Sequence, residues 1–216
     1  MATGFITAAE MQDQLGGIPL ERIRMVPPPG MATEQDLLRL QGAEGRACEL
    51  IDGVLVEKTM GYFESRLAAM LIVILGRYVE EHDLGIVLGA DGTLRILHDQ
   101  IRAPDVAFLS WRHFPNRMLP PEPVPALAPD LAVEVLSAGN TEREMERKLD
   151  DYFTAGVELV WFIDPPSQTA TAYESRKKWR TLTLKDSLTG GNVLPGFELP
   201  LQELFDRAMG RSRRQE

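Results

Sequence analysis

The sequence predicts an α/β domain in which a mixed β-sheet is flanked by helices. Three observations carry that expectation. Apolar residues Phe63, Leu67, Met70, Leu71, Ile74, Leu75 and Tyr78 recur with helical spacing. After Gly85 the texture changes to short β-prone runs separated by turns. A second helical pattern over 141–155 then sits between two apolar runs, at 130–136 and 158–163. The order helix, three strands, helix, strand closes as a mixed sheet with helices packed on it. With 216 residues and 44% apolar content the chain has material for one substantial core, so a single domain is expected.

Residues 1–30 end in Val26-Pro27-Pro28-Pro29-Gly30, which reads as a stiff connector, so this stretch is expected to be an N-terminal arm free to flex. Thr33-Glu34-Gln35-Asp36 is a helix start before Leu37, Leu38 and Leu40. Asp52-Gly53 between β-prone runs in Glu49 to Glu57 is the strongest hairpin signal in the chain. The long helix runs from about 62 to 81, with Arg66, Arg77 and Glu80 on its other face. Strands are expected at 86–88, 93–97 and 101–109, the last on an edge or at a bulge because of Pro104. Six prolines make 110–129 a long loop, of a length that is often functional. Thr141 and Glu144 form a capping box and Gly156 ends the second helix. Strands at 169–173 and 178–184 and a short helix near Leu201 complete a domain over 31–208, followed by a basic tail at 209–216.

A lone Cys48 excludes an internal disulfide framework and suits a reducing compartment. The first residues lack the basic start and apolar stretch of a secretory signal, and the longest apolar run, Ala68 to Leu75, is far too short to span a bilayer. A soluble, cytoplasmic protein is therefore expected. The net charge of −9 repels polyanions unless basic groups gather locally. Three clusters do so: Arg176-Lys177-Lys178-Trp179-Arg180, Arg143 with Arg147 and Lys148, and Arg211-Ser212-Arg213-Arg214. Such short runs are ordinarily solvated surface.

Two carboxylates lie inside apolar strand-like runs, Asp105 in Ile101 to Leu109 and Glu134 in Leu131 to Leu136. An ionised carboxylate in such a setting costs several kcal/mol unless a cation or donor compensates it. The order Pro-Asp, then Glu, then Lys148 on the following helix is what a metal-dependent phosphodiesterase needs, and it points to a nuclease. Asp130 is a rival to Asp105, but it shares a strand with Glu134 and lies roughly 13 Å away, too far for one ion. The plainer alternative is that Asp105 and Glu134 are structural and pair with arginines such as Arg102. On a helical wheel Met145, Leu149, Tyr152 and Phe153 form the buried stripe, with Lys148 about 60° from Met145 on its margin. The plain alternative for Lys148 is a surface pair with Glu144.

Ala103-Pro104-Asp105-Val106-Ala107-Phe108, Pro129-Asp130-Leu131-Ala132-Val133-Glu134-Val135-Leu136-Ser137, Lys148-Leu149-Asp150-Asp151-Tyr152 and Val160-Trp161-Phe162-Ile163-Asp164-Pro165 together resemble the Uma family of restriction-type endonucleases, within the PD-(D/E)xK nuclease superfamily. The resemblance runs from about Glu49 to Phe205. It implies a restriction-endonuclease-like core, dependence on Mg²⁺ (with Mn²⁺ as a substitute) and hydrolysis of DNA phosphodiesters. The superfamily lysine normally follows the glutamate by two positions, where this chain has Leu136; the resemblance implies that Lys148 replaces it from the helix. A third acid is open between Glu49, favoured by the resemblance and by sharing a strand face with Ile51, and Glu64 near the start of the long helix. In this reading Asp105, Glu134 and the Val135 carbonyl hold the metal, with Glu49 as a further ligand, and Lys148 orients the attacking water.

Other chemistries fare worse. His82, His98 and His113 lack metal-ligand spacing, Ser137 and Ser175 lack a base partner, and Cys48 reads as a small buried residue. Gly89 to Gly92 and Thr189 to Asn192 are turns outside any phosphate-binding consensus. A sugar-cleaving carboxylate pair would leave Lys148 unexplained. The rival from another class is a non-catalytic module that keeps the nuclease scaffold to bind nucleic acid or a protein; a homodimer with the 110–129 loop at its interface is a third reading.

Overall fold

The computed structural model describes residues 7–211. Its centre is a six-stranded sheet made of β3 (Gly85–Gly89), β6 (Val106–Ser110), β7 (Leu131–Val135), β8 (Leu159–Asp164), β9 (Thr169–Ser175) and β10 (Lys178–Leu182), in the order β10-β9-β8-β7-β6-β3. Only β7 and β8 run parallel, joined by helix α4 (Glu142–Thr154), so the sheet is mixed as the sequence predicts. A second sheet, in the order β2-β1-β5-β4, holds the Asp52-Gly53 hairpin of β1 (Cys48–Ile51) and β2 (Val54–Glu57), with β4 (Leu94–Leu97) and β5 (Gln100–Arg102). β11 (Ser187–Thr189) and β12 (Glu198–Pro200) form a small hairpin that the sequence reading missed, both strands being only three residues long.

The six-stranded sheet is buried on both faces, which is why its central strands are apolar almost without interruption. Leu131, Val133 and Val135 meet helices α3 (Tyr62–Glu81) and α5 (Leu201–Ala208) through Leu67, Leu71, Leu75, Leu204 and Phe205. Ala132, Val160 and Phe162 face α4 through Met145, Leu149 and Tyr152. The buried stripe of α4 is thus the one that helical periodicity predicts. Among the described residues no helix is long and apolar enough to cross a membrane.

Two expectations are corrected. The run 101–109 is not one strand at an edge: β5 ends at Arg102, β6 begins at Val106, and the two lie in different sheets, with β6 between β3 and β7. Pro104 has no N–H to donate, so neither ladder can continue through it, and Ala103-Pro104-Asp105 becomes the step from one sheet to the other. Nor do the described residues of the N-terminal stretch, 7–30, form a free arm; the first six lie outside the described residues. A capping box of Thr7 and Glu10 starts helix α1 (Ala8–Gln14), and Met11, Leu15, Ile18 and Ile23 pack on Ile51, Val54 and Val56. The expected basic tail lies outside the described residues from Ser212 onward; Met209 packs against the core.

Arg22 fastens this N-terminal segment to α4. Its guanidinium donates two hydrogen bonds to Glu144, at 2.8 and 2.9 Å, and one to the Gly139 carbonyl at 2.8 Å. Both charges are buried. Arg22→Ala leaves Glu144 uncompensated and is expected to lower stability by about 3–5 kcal/mol, measured by urea unfolding.

Candidate active site

Asp105 and Glu134 meet at the open end of the β6–β7 pair. Val106 faces Val133 in the ladder, so one further step of the same register sets Asp105 opposite Glu134 and on the same sheet face. The ladder stops there because the Asp105 carboxylate takes the Val135 N–H for itself, at 2.7 Å on Oδ2. Its Oδ1 accepts from Lys58 Nζ, also at 2.7 Å, and Lys58 donates to the Ala103 carbonyl as well.

Glu134 is held from α4. Lys148 Nζ lies 3.0 Å from its Oε2, and the Tyr152 hydroxyl donates to its Oε1. Lys148 and Tyr152 are one helical turn apart, so both point to the same sheet face. Lys148 is also 3.1 Å from Glu49 Oε1. The surface pair of Lys148 with Glu144 does not form, because Glu144 is occupied by Arg22. Lys148, placed by the wheel on the margin of the buried stripe, is 3% exposed.

Glu49, on β1, completes the cluster from the second sheet. Its Oε1 accepts the Ala103 N–H at 3.1 Å and its Oε2 a bond from Arg102 at 2.9 Å, while the other end of the Arg102 guanidinium holds Asp151 on α4. Arg102 therefore pairs with Glu49 and Asp151 and leaves Asp105 and Glu134 to the lysines. Glu64 stays apart, folding back over Gly61 at the start of α3 and forming no ion pair among the described residues. Asp130 sits at the far end of β7, where the Ser110 N–H, His113 and Arg112 bond it.

Electrostatics sort these groups. Burial raises the Glu134 carboxyl above the ordinary glutamate range; Lys148 opposes this, but the charge of Asp105 adds to it. Burial also pushes Glu49 upward, yet Lys148 and Arg102 outweigh it and hold that carboxyl well below its ordinary value. Desolvation works against the Lys148 ammonium, but Glu134 and Glu49 more than offset it, so Lys148 stays charged. Burial, then the charge of Glu134, keeps Tyr152 protonated and a donor. Burial pushes the Cys48 thiol up to about 11, as expected of an inert buried cysteine.

Within this network four carboxylates, Glu49, Asp105, Glu134 and Asp151, face three cations, Lys58, Lys148 and Arg102. Among the described residues no three His, Cys, Asp or Glu side chains converge as metal ligands, so Glu49 is not gathered with the other two into one ligand set; it positions Lys148 and Arg102. Magnesium commonly takes only one or two carboxylates and keeps several waters. Two adjacent carboxylates, Asp105 and Glu134, fit that requirement.

Lys58 was not anticipated from the sequence. Strand alternation held the signal: Glu49 pairs with Val56 across the hairpin, and two steps beyond Val56 returns Lys58 to the same face. The role of Tyr152 was hidden because a buried tyrosine in an apolar stripe reads as packing.

Lys148→Met strands two buried carboxylates and is expected to cost about 3–5 kcal/mol in urea unfolding. The depressed Glu49 value means its stabilisation is full above the ordinary glutamate value of 4.5 and is lost as pH falls from there toward the lower folded value. Glu134, shifted upward, acts with the opposite sign. Glu49→Gln should therefore flatten the loss of stability below pH 4.5 relative to the parent protein, read from denaturation curves at stepped pH.

A family model described as "Uma2: Putative restriction endonuclease" matches residues 34–202. Among solved structures, the fold is similar to a "putative nuclease belonging to DUF820" from Anabaena variabilis ATCC 29413, with a TM-score of 0.68 and 18% identity over 76% of this chain and 92% of that one. At that identity the likeness concerns the fold. No curated protein matches the sequence. The family match begins with helix α2 (Glu34–Glu44), takes in both sheets and the whole charged cluster, and ends in α5; the chain belongs to the Uma2 family of nuclease-fold proteins.

Proposed function

We propose that the chain hydrolyses phosphodiester bonds of DNA using a divalent cation, Mg²⁺ or in its place Mn²⁺, held by Asp105 and Glu134 with the Val135 carbonyl. The observation that carries this reading is the meeting of Asp105 and Glu134 at the end of adjacent strands, with the Lys148 ammonium 3.0 Å from Glu134. Membership of a restriction-endonuclease family supports DNA as the substrate.

When bound, the cation polarises the scissile phosphate and acidifies a water molecule. The Val135 N–H orients the Asp105 carboxylate through its Oδ2. Tyr152 holds one oxygen of Glu134 and leaves the other toward Lys148. Lys148, kept charged by its two carboxylates, sets a fixed positive charge beside the pair, where it offsets the charge that grows on phosphoryl oxygens. The overall negative charge of the chain is relieved locally at the β9–β10 hairpin. There Lys177 and Arg180 are exposed and, among the described residues, free of ion pairs, next to the exposed Trp179. Arg143 and Arg147, by contrast, are tied to Asp13 and Asp52.

One observation favours a second reading, a nuclease-fold module that binds without cutting. Each acid of the cluster is paired with a cation of the same chain, and Glu49, Asp105, Glu134 and Lys148 are only 2–4% exposed.

Plasmid and oligonucleotide cleavage with added Mg²⁺ or Mn²⁺ separates the two. Asp105→Asn and Glu134→Gln are each expected to cut cleavage at least about 100-fold while far-UV circular dichroism stays that of the parent. Cleavage by either variant at the parent rate would overturn the catalytic assignment, and metal-independent DNA binding that survives Asp105→Asn would establish the module.

A further inference from the structure

Lys58 differs from the other cations of the cluster. Lys148 is clamped between Glu49 and Glu134, and Arg102 between Glu49 and Asp151. Lys58 has one carboxylate, Asp105, and one carbonyl, Ala103. Its side chain is 9% exposed against 4% for Lys148 and 2% for Arg102. It also lies at the edge of the cluster: β2 has ended, and the next residues, Thr59, Met60 and Gly61, are exposed, with the Thr59 and Ser137 hydroxyls 3.1 Å apart. Its charge nevertheless reaches the whole site, since it favours the ionised forms of both Glu49 and Glu134.

An ammonium that touches a carboxylate oxygen and a backbone carbonyl has the ligands that a hard cation would take. Building on the metal reading above, we propose that Lys58 is a displaceable counter-cation. It holds Asp105 oriented against the Val135 N–H while the acidic pair carries no metal, and it yields Asp105 Oδ1 to an incoming divalent ion. A lysine suits that task better than arginine, because its charge sits on a flexible four-carbon stem and binds without a rigid two-point fork. Lys58 is in this sense a positioning residue: it acts through Asp105.

The idea separates cleanly from a purely structural role, because the two predict opposite changes in metal affinity. If Lys58 only braced Asp105, its loss would loosen the carboxylate and weaken metal binding. If Lys58 competes with the metal, its loss removes a like charge from the ion's position and tightens binding. Calorimetric titration of Mn²⁺ into the full chain at pH 7.5 is expected to show roughly tenfold tighter binding for Lys58→Met than for the parent. Lys58→Arg, which keeps the charge and can grip the carboxylate at two points, should bind no tighter than the parent. Should Lys58→Met fail to fold by circular dichroism, Lys58→Gln retains a donor for the Ala103 carbonyl without the charge, and the same tightening is expected of it. Unchanged or weaker Mn²⁺ binding by the uncharged variants overturns the proposal. If the parent binds Mn²⁺ and the uncharged variants bind it equally, Lys58 alone is wrongly assigned. If none of them binds, the metal reading falls with it.

Discussion

The contact on which the site depends is the Lys148 ammonium between Glu49 and Glu134. It joins three elements: β1 of the small sheet, β7 of the large one, and α4. An isolated buried ion of this kind is unfavourable, and an ion pair in such a place offsets its desolvation only when the remaining hydrogen-bonding capacity is also met. Tyr152, the Ala103 N–H and Arg102 meet it here. Burial pushes both Glu49 and Glu134 upward, and their charged neighbours then separate them. Lys148 and Arg102 together outweigh burial at Glu49, whereas at Glu134 burial and the charge of Asp105 prevail over Lys148.

The seam between the two sheets determines where that cluster lies. Ala103-Pro104-Asp105 steps from β5 to β6, and the Pro104 ring prevents either ladder from absorbing the residue that follows. Asp105 is left with a free carboxylate beside a strand end, able to compete for the Val135 N–H. Arg102 and Ala103, just before the step, reach back to Glu49 in the other sheet. Arg102 at the end of β5, with Ala103 and Asp105 of the connector, thus binds both sheets to one group of charges.

The N-terminal segment extends the same arrangement outward. Arg22 grips Glu144 and Gly139, and Thr141, which caps α4, donates to the Gly16 carbonyl at 2.6 Å. Gly16 is required at that contact: its φ is +84°, and a Cβ there would lie 2.8 Å from the Glu144 backbone nitrogen. A segment remote from the acids in sequence therefore anchors the first turn of the helix that carries Lys148 and Tyr152.

Much of this was determined by the sequence alone. Helical spacing placed α3 and the buried stripe of α4, Asp52-Gly53 placed the β1–β2 hairpin, and two carboxylates embedded in apolar runs marked β6 and β7 as the strands that carry the site. These features are local: they follow from periodicity, turn chemistry and the cost of burying charge, all of which act within a few residues. What only the tertiary structure decided is pairing. Nothing near Lys58 names Asp105 as its partner, Arg102 has several acids within reach of any plausible sheet, and the division of 101–109 between two sheets depends on which strands lie beside it. The packing of α1 on the hairpin belongs in the same group, because a seven-residue helix has too few turns to reveal itself by periodicity and is held mainly by the surface it covers.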